Sequence, residues 1–398
     1  MNLLASNFFA AVGNFLSSYV WPVILALLIL LAMITVHEFG HYIAGKILKF
    51  KINEFAIGFG PVLFKRKSKK TGEVFSIRAL PLGGFCAFAG EDEDVPKTEE
   101  PVFEEELKLD ADCKEEQKSQ VEVVDTSGYF NNKAPWKRII VLISGALMNY
   151  ILAIVLIVTL FMFFGQPTFQ INAIEQNENY SAEYSLCEGD VLLEAEGRKI
   201  YVVTDIMKGL KGKSQDDIAT LTVLREGEKK QVQIKLRHNC NFENSADTSK
   251  VWKALGLGTV ERAISIYSYK GGFFYNLGSS FGYSFRIAGT IFNVLGELLT
   301  GKLGLDAMGG PITTIKVTSE VAAQGVESFL EIAAYIGVNL AVFNLLPIPA
   351  LDGSKVVFCA IEWIFKKPVP RKLEAIIHAA GLILILLFAV TVDLLQFI

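Results

Sequence analysis

The chain has 398 residues, 51% hydrophobic and 20% charged, with 38 Lys and Arg against 42 Asp and Glu for a formal net charge of −4. That balance excludes a basic nucleic-acid-binding protein, and the apolar share excludes a wholly soluble chain. Charge is nearly absent from a few long blocks and dense elsewhere, the pattern of a polytopic membrane protein with soluble inserts.

The first block carries no charged residue from Met1 to Val36 and is predicted to span from about Tyr19 to Gly45. It lacks a basic leading region and a small-residue cleavage site, so it reads as a span rather than a signal peptide. Its end holds His37-Glu38-Phe-Gly-His41, two of the chain's four histidines. Residues four apart on a helix share a face, so His37 and His41 can reach one metal ion, and Glu38 can reach a water on that ion. The alternative is a coincidental pattern on a buried helix. Polar groups near the centre of a span cost about 2.5–3.5 kcal/mol each, which argues against coincidence.

Residues 53–88 are predicted to form short strands at 53–57, 62–67, 73–80 and 84–89. Turns are expected at Gly58-Phe59-Gly60-Pro61, at Lys69–Gly72 and at Gly83-Gly84. Such a hairpin region either packs beside the membrane helices or offers an edge strand to an extended substrate. Residues 91–125 are an acidic run, read as a solvated loop, with a lid as the alternative. A second span is predicted at Ile139–Phe164.

Residues 167–258 read as a compact soluble insert, with strands at Val191–Glu194, Thr220–Arg225 and Gln231–Leu236, a turn at Gly227 and a short helix at Asp205–Lys211. The order around Glu188-Gly189-Asp190 resembles a PDZ domain, with an unrelated β-insert as the alternative. Cys187 and Cys240 both fall in this insert, where a disulfide is permitted though no spacing requires one. Residues 273–300 read as an interfacial amphipathic helix rather than a fifth span. A third span is predicted at about Phe329–Leu346 and a fourth at about Ala375–Val392, where His378 reads as a packing or hydrogen-bonding residue.

Cationic clusters follow span one (Lys46 to Lys70), precede span two (Lys133, Lys137, Arg138) and join spans three and four (Lys355 to Lys372). Excess Lys and Arg mark cytoplasmic loops, so both termini are expected outside and His37–His41 towards the cytoplasm. Two histidines leave a catalytic zinc one protein ligand short. The best candidate is Asp352, in Asn344-Leu-Leu-Pro347-Ile-Pro349-Ala-Leu-Asp352-Gly353, on the same side as His37.

Together, His37–His41, Gly58–Pro61, Leu80–Phe85, Asn132–Arg138, Gly309–Pro311 and Asn344–Gly353 resemble the bacterial site-2 protease family of intramembrane zinc metalloproteases, in its RseP-type group. Two positions depart from that family: Ser354 stands where a second glycine is usual, and Ala146 follows Gly145 in place of proline. The resemblance implies zinc on His37, His41 and Asp352. It makes Glu38 the general base and then the acid, and it places Asn344 against unwound substrate, with Asn339 either there as well or in interhelical hydrogen bonding. It also implies that residues 54–61, with Gly58, Phe59 and Gly60, pair with substrate as an added strand.

The expected fold is a polytopic α-helical membrane protein of about four transmembrane helices. It carries a membrane-associated β-hairpin region and an extracytoplasmic PDZ-like, β-rich domain. The expected order is first transmembrane helix (1–46), β-hairpin region (47–90), acidic cytoplasmic loop (91–134), second transmembrane helix (135–165), PDZ-like domain (166–260), amphipathic segment (261–325), third transmembrane helix with the metal loop (326–354), and cytoplasmic linker with the fourth transmembrane helix (355–398). The implied activity is regulated intramembrane proteolysis in the cytoplasmic membrane. Its partners are the lipid bilayer, single-pass substrates such as anti-sigma factors or remnant signal peptides, and an upstream extracytoplasmic protease that cuts first. Two other functions stay open. A peptide-binding scaffold would not need Glu38. A metal transporter would need ionisable groups along several spans, and spans two and four offer almost none.

Overall fold

The computed structural model describes residues 20–91, 126–174, 186–242, 244–245, 247–257, 263–305 and 308–397. Nearly all of the acidic run falls outside them. Among the described residues, four helices are long and apolar enough to cross a membrane: α1 (Trp21–Ile47), α2 (Pro135–Phe163), α7 (Val326–Leu345) and α9 (Arg371–Phe397). These are the four predicted spans: α1 begins and ends within two residues of its prediction, and α2, α7 and α9 start about a turn earlier. Several such helices fit a multi-pass protein of the cytoplasmic membrane.

Helix α1 buries Ala26, Ile29, Met33, His37, Gly40, His41 and Ala44, a three-four spacing that makes one continuous stripe. The stripe packs against α2, where Gly40 lets the helices approach: a Cβ there would sit 2.8 Å from the Ser144 carbonyl carbon. Met33 meets Gly337 of α7, so α1, α2 and α7 form the central bundle.

Between α1 and α2 lie β1 (Ile52–Lys67) and β2 (Val74–Phe88). The predicted turns at Gly58–Pro61 and Gly83-Gly84 fall inside these strands, as bends rather than ends. Gly58 takes φ +86°, and its bare Cα faces the carbonyls of Arg78 and Leu80. The bends fold the ribbon on itself. Residues 54–57 pair with 84–87 on one side and 74–77 on the other, and 64–67 pair with 74–77. The sheet therefore runs 64–67, 74–77, 54–57, 84–87. Inside it, Glu54 accepts hydrogen bonds from Ser76 (2.6 Å) and Arg78 (2.8 Å), which outweigh its desolvation and lower its pKa.

The insert is β-rich, with sheet order β7-β6-β4-β3-β8 and β5 paired to β4: β3 (Gln166–Ile171), β4 (Val191–Ala195), β5 (Arg198–Lys199), β6 (Ile218–Arg225), β7 (Glu228–Lys235) and β8 (Ile264–Tyr269). Helices α3 (Val203–Leu210) and α4 (Thr248–Ala254) cover it. The Gly227 hairpin and the α3 helix fall where the sequence places them. Strand β8 extends the domain beyond residue 260, because it pairs with β3 along its whole length. Cys187 and Cys240 are both free thiols, and burial pushes Cys240 up to about 11.

Helix α5 (Phe273–Leu299) does not qualify as a span. Its inner face is polar as well as apolar: Asn276 donates to the Phe161 carbonyl, while Tyr283, Ile287 and Ile291 pack on α2 and α7. The β-rich domain is anchored here. Asp205, 1% exposed, lies 3.1 Å from Arg286 of α5, and Tyr201 packs on Tyr283. Helix α6 (Pro311–Ala322), which sequence reading left unassigned, starts on Asp393 of α9; that carboxylate accepts the Ile312 and Thr313 backbone N–H groups. Helix α8 (Asp352–Phe365) replaces most of the predicted linker and pairs its Glu362 with the buried Arg138 of α2.

Candidate metal centre

Three elements far apart in sequence meet at one point. The last turns of α1 supply His37 and His41, both 7% exposed. The first residue of α8 supplies Asp352. His37 Nε2 lies 2.9 Å from Asp352 Oδ2, His41 Nε2 lies 3.2 Å from that oxygen, and the two Nε2 atoms are 3.1 Å apart. Ligands of a tetrahedral ion with bonds of about 2.0–2.1 Å stand about 3.3 Å from one another, so the spacing fits zinc, as does the nitrogen and carboxylate donor set. Among the described residues this is the one cluster of His, Cys, Asp or Glu compact enough for a metal. Burial opposes charge on Asp352, but the two imidazoles outweigh it and hold its pKa well below the usual carboxylate range.

The surroundings set the orientation of each ring. His41 Nδ1 donates to the Val141 carbonyl of α2 at 2.8 Å, which leaves Nε2 for the metal. Gly145, one turn further along α2, lies flat against both rings: a Cβ there would come within 2.5 Å of His41 Nε2 and 2.8 Å of His37 Cε1. Glu38 sits against the end segment of the sheet, where Gly84 approaches its side chain and the Cys86 backbone N–H reaches its carboxylate. Ser354, the departure noted above, donates its hydroxyl to the Leu351 carbonyl at 2.7 Å and so steadies the start of α8.

Of the remaining candidates, Asn344 comes to the centre, its Nδ2 3.4 Å from His37 Nδ1. Asn339 lies five residues earlier on α7, about 500° of helix rotation away, on another face. Gly58, Phe59 and Gly60 lie at the bend of β1. Phe59 stacks on Phe85, ring centroids 6.3 Å apart, and Phe85 adjoins the residue that bonds Glu38. The backbone of 54–57 has a strand on each side, so the outer segment of the sheet beside Glu38 is 84–87. Sequence reading missed Gly145, Val141 and Cys86. Only Gly145 left a signal, as part of an atypical Gly-Ala pair.

A helix-borne HExxH at the end of an apolar span, closed by an aspartate from a loop after another span, defines a membrane-embedded zinc metalloprotease. The chain belongs to Peptidase family M50, whose profile it matches over residues 25–388. It is 30% identical over 424 aligned positions to the zinc metalloprotease RasP of Bacillus licheniformis, covering 93% of this chain and 97% of that protein. It is 27% identical to the regulator of sigma-W protease RasP of Bacillus subtilis, covering 94% and 97%.

Proposed function

We propose that this protein cuts single-pass transmembrane segments within or near the bilayer, with zinc held by His37, His41 and Asp352 and protons moved by Glu38. The observation that carries the reading is the convergence of three ligand atoms beside a carboxylate at the end of an apolar helix. Zinc bound there supplies a Lewis acid for the scissile carbonyl and lowers the pKa of water. Glu38 takes a proton from the attacking water and passes it to the leaving amine. The Cys86 N–H keeps its carboxylate aimed. Asn344 lies within reach of His37 and faces the same point, where its amide meets unwound substrate and steadies the ring.

A helical substrate hides its carbonyls in its own hydrogen bonds, so it has to be extended before cleavage. The outer segment 84–87 offers backbone partners to such a strand next to Glu38, with Gly58–Gly60 and Phe59 shaping the approach. The cationic clusters orient both termini outside and the metal centre towards the cytoplasm. The β-rich domain then lies outside, a PDZ-like filter that admits substrates already trimmed by an upstream protease. Anti-sigma factors and remnant signal peptides have this form, and likeness to a regulator of sigma-W protease supports the first.

The test is cleavage in zinc-loaded proteoliposomes of single-pass substrates with short outer ends, with products mapped by mass spectrometry. Cuts inside or at the border of the apolar segment are expected. Cuts confined to soluble flanks, or none across the panel, would overturn the reading. Gly145→Ala offers a check on the metal seat. A methyl pressed onto both imidazoles costs about 1–3 kcal/mol of overpacking, so zinc retention against a graded chelator should weaken about 5- to 150-fold. Wild-type retention would show that the rings do not hold the metal in this arrangement.

A further inference from the structure

Asp352 is delivered to the centre by the loop 346–351, in which Leu346, Ile348 and Leu351 donate to backbone carbonyls of the loop or of the end of α7, while the Ala350 N–H has its partner on another helix. Pro347 and Pro349 lack an N–H, and Ala350 takes φ +75°, a conformation that an alanine keeps only where its surroundings hold it. What holds it is on α9. The Ala350 backbone N–H donates to Nδ1 of His378 at 3.1 Å. Gly381, three residues further and on the same face, lies flush with the loop: a Cβ there would sit 2.9 Å from the Pro349 carbonyl carbon. The His378 ring also stands edge-on to Phe358 of α8, centroids 5.7 Å apart, so it is wedged between the loop and the helix that Asp352 begins. The stretch of α9 that follows is loosely engaged. Leu382, Ile383, Leu384, Leu386 and Leu387 are all more than half exposed.

We propose that His378 is a positioning residue for the metal centre: by accepting the Ala350 N–H it holds the loop in the conformation that brings Asp352 to His37 and His41. The proposal rests on Asp352 being a zinc ligand. It accounts for the one titratable group between Ala375 and Val392, the apolar stretch of α9. An unpaired imidazole there would be costly, whereas this one accepts the single N–H of the loop that no backbone carbonyl takes. The role belongs to one atom. Nδ1 accepts, so the proton sits on Nε2, and a replacement works only if it puts an acceptor at the Nδ1 position.

That requirement sets the experiment. Full-length wild type, His378→Leu, His378→Asn, His378→Gln and Asp352→Ala are purified in detergent. Zinc retention is measured against a graded chelator, alongside thermal unfolding. Asparagine puts its Oδ1 where Nδ1 stands; glutamine puts its acceptor one bond further out; leucine has none. Supporting groups around a metal ligand are typically worth about 10- to 100-fold in affinity. His378→Leu and His378→Gln should lose zinc at about tenfold lower chelator or less, while His378→Asn stays within about threefold of wild type. Wild-type retention by His378→Leu beside a weak Asp352→Ala overturns this proposal alone. Equal loss in the Asn and Leu variants also overturns it, since ring packing rather than the acceptor would then matter. If the leucine variant does not fold, the Asn and Gln variants decide, and equal affinity counts against the proposal. Wild-type retention by Asp352→Ala removes the metal-site reading and this proposal with it.

Discussion

Glu38→Gln is expected to abolish cleavage and leave zinc in place. The substitution keeps the shape of the side chain and an oxygen to accept the Cys86 N–H. It takes away only the ability to carry a proton. A positioned general acid and base is worth about 10²–10⁴ in rate, so turnover should fall by about that factor. Glu38 contributes no atom to the three-ligand cluster, so zinc per protein should not change. The measurement pairs single-turnover cleavage of a labelled single-pass substrate with metal analysis of the same preparation. Residual turnover within about tenfold of wild type would remove Glu38 from the proton-transfer role. Loss of zinc together with activity would mean that the carboxylate supports the metal instead.

Asp352→Ala is expected to empty the centre. With it gone, two imidazoles 3.1 Å apart remain, and no other carboxylate or thiolate among the described residues lies close enough to complete the set. Losing a ligand costs more than losing a supporting group, which is itself worth about 10- to 100-fold in metal affinity. Zinc should therefore be lost during purification, and activity with it. Asp352→Asn separates charge from shape. It preserves an oxygen but not the negative charge that both imidazoles face at 2.9 and 3.2 Å, so its zinc affinity should fall between those of wild type and the alanine variant. Wild-type zinc in both variants would place the third ligand elsewhere.

The legible parts of this protein are those whose signal is local. Hydropathy over about twenty residues is enough to mark a span, and α1, α2, α7 and α9 appear where their apolar runs lie. The Glu226-Gly227 hairpin follows from two consecutive residues with positive φ, 55° and 84°. Other elements were missed because their signal is weak in isolation. Strand β8 is six residues with no sharp alternation, and becomes a strand by pairing with β3, about a hundred residues earlier. Helix α6 depends on Asp393, some eighty residues later, to satisfy its first N–H groups. The bends at Gly58 and Gly83 looked like strand ends because glycines mark both; the choice depends on whether the partner strand bends in step.

The sequence by itself determined that this chain enters a membrane, that His37 and His41 share one face at the end of a span with Glu38 beside them, and that Asp352 is the best remaining ligand. Each follows from helical periodicity, hydropathy and charge placement, which act within a few turns of chain. Tertiary structure decided the rest. It placed residues 54–57 inside the sheet and made 84–87 its outer segment beside Glu38. It seated both imidazoles on Gly145 and braced the Asp352 loop with His378. Those outcomes depend on the register with which α2 and the folded ribbon pack on α1 and α9 packs on the loop before Asp352. Register is set by close contacts between segments tens to hundreds of residues apart, and periodicity within any one segment carries no record of its neighbour.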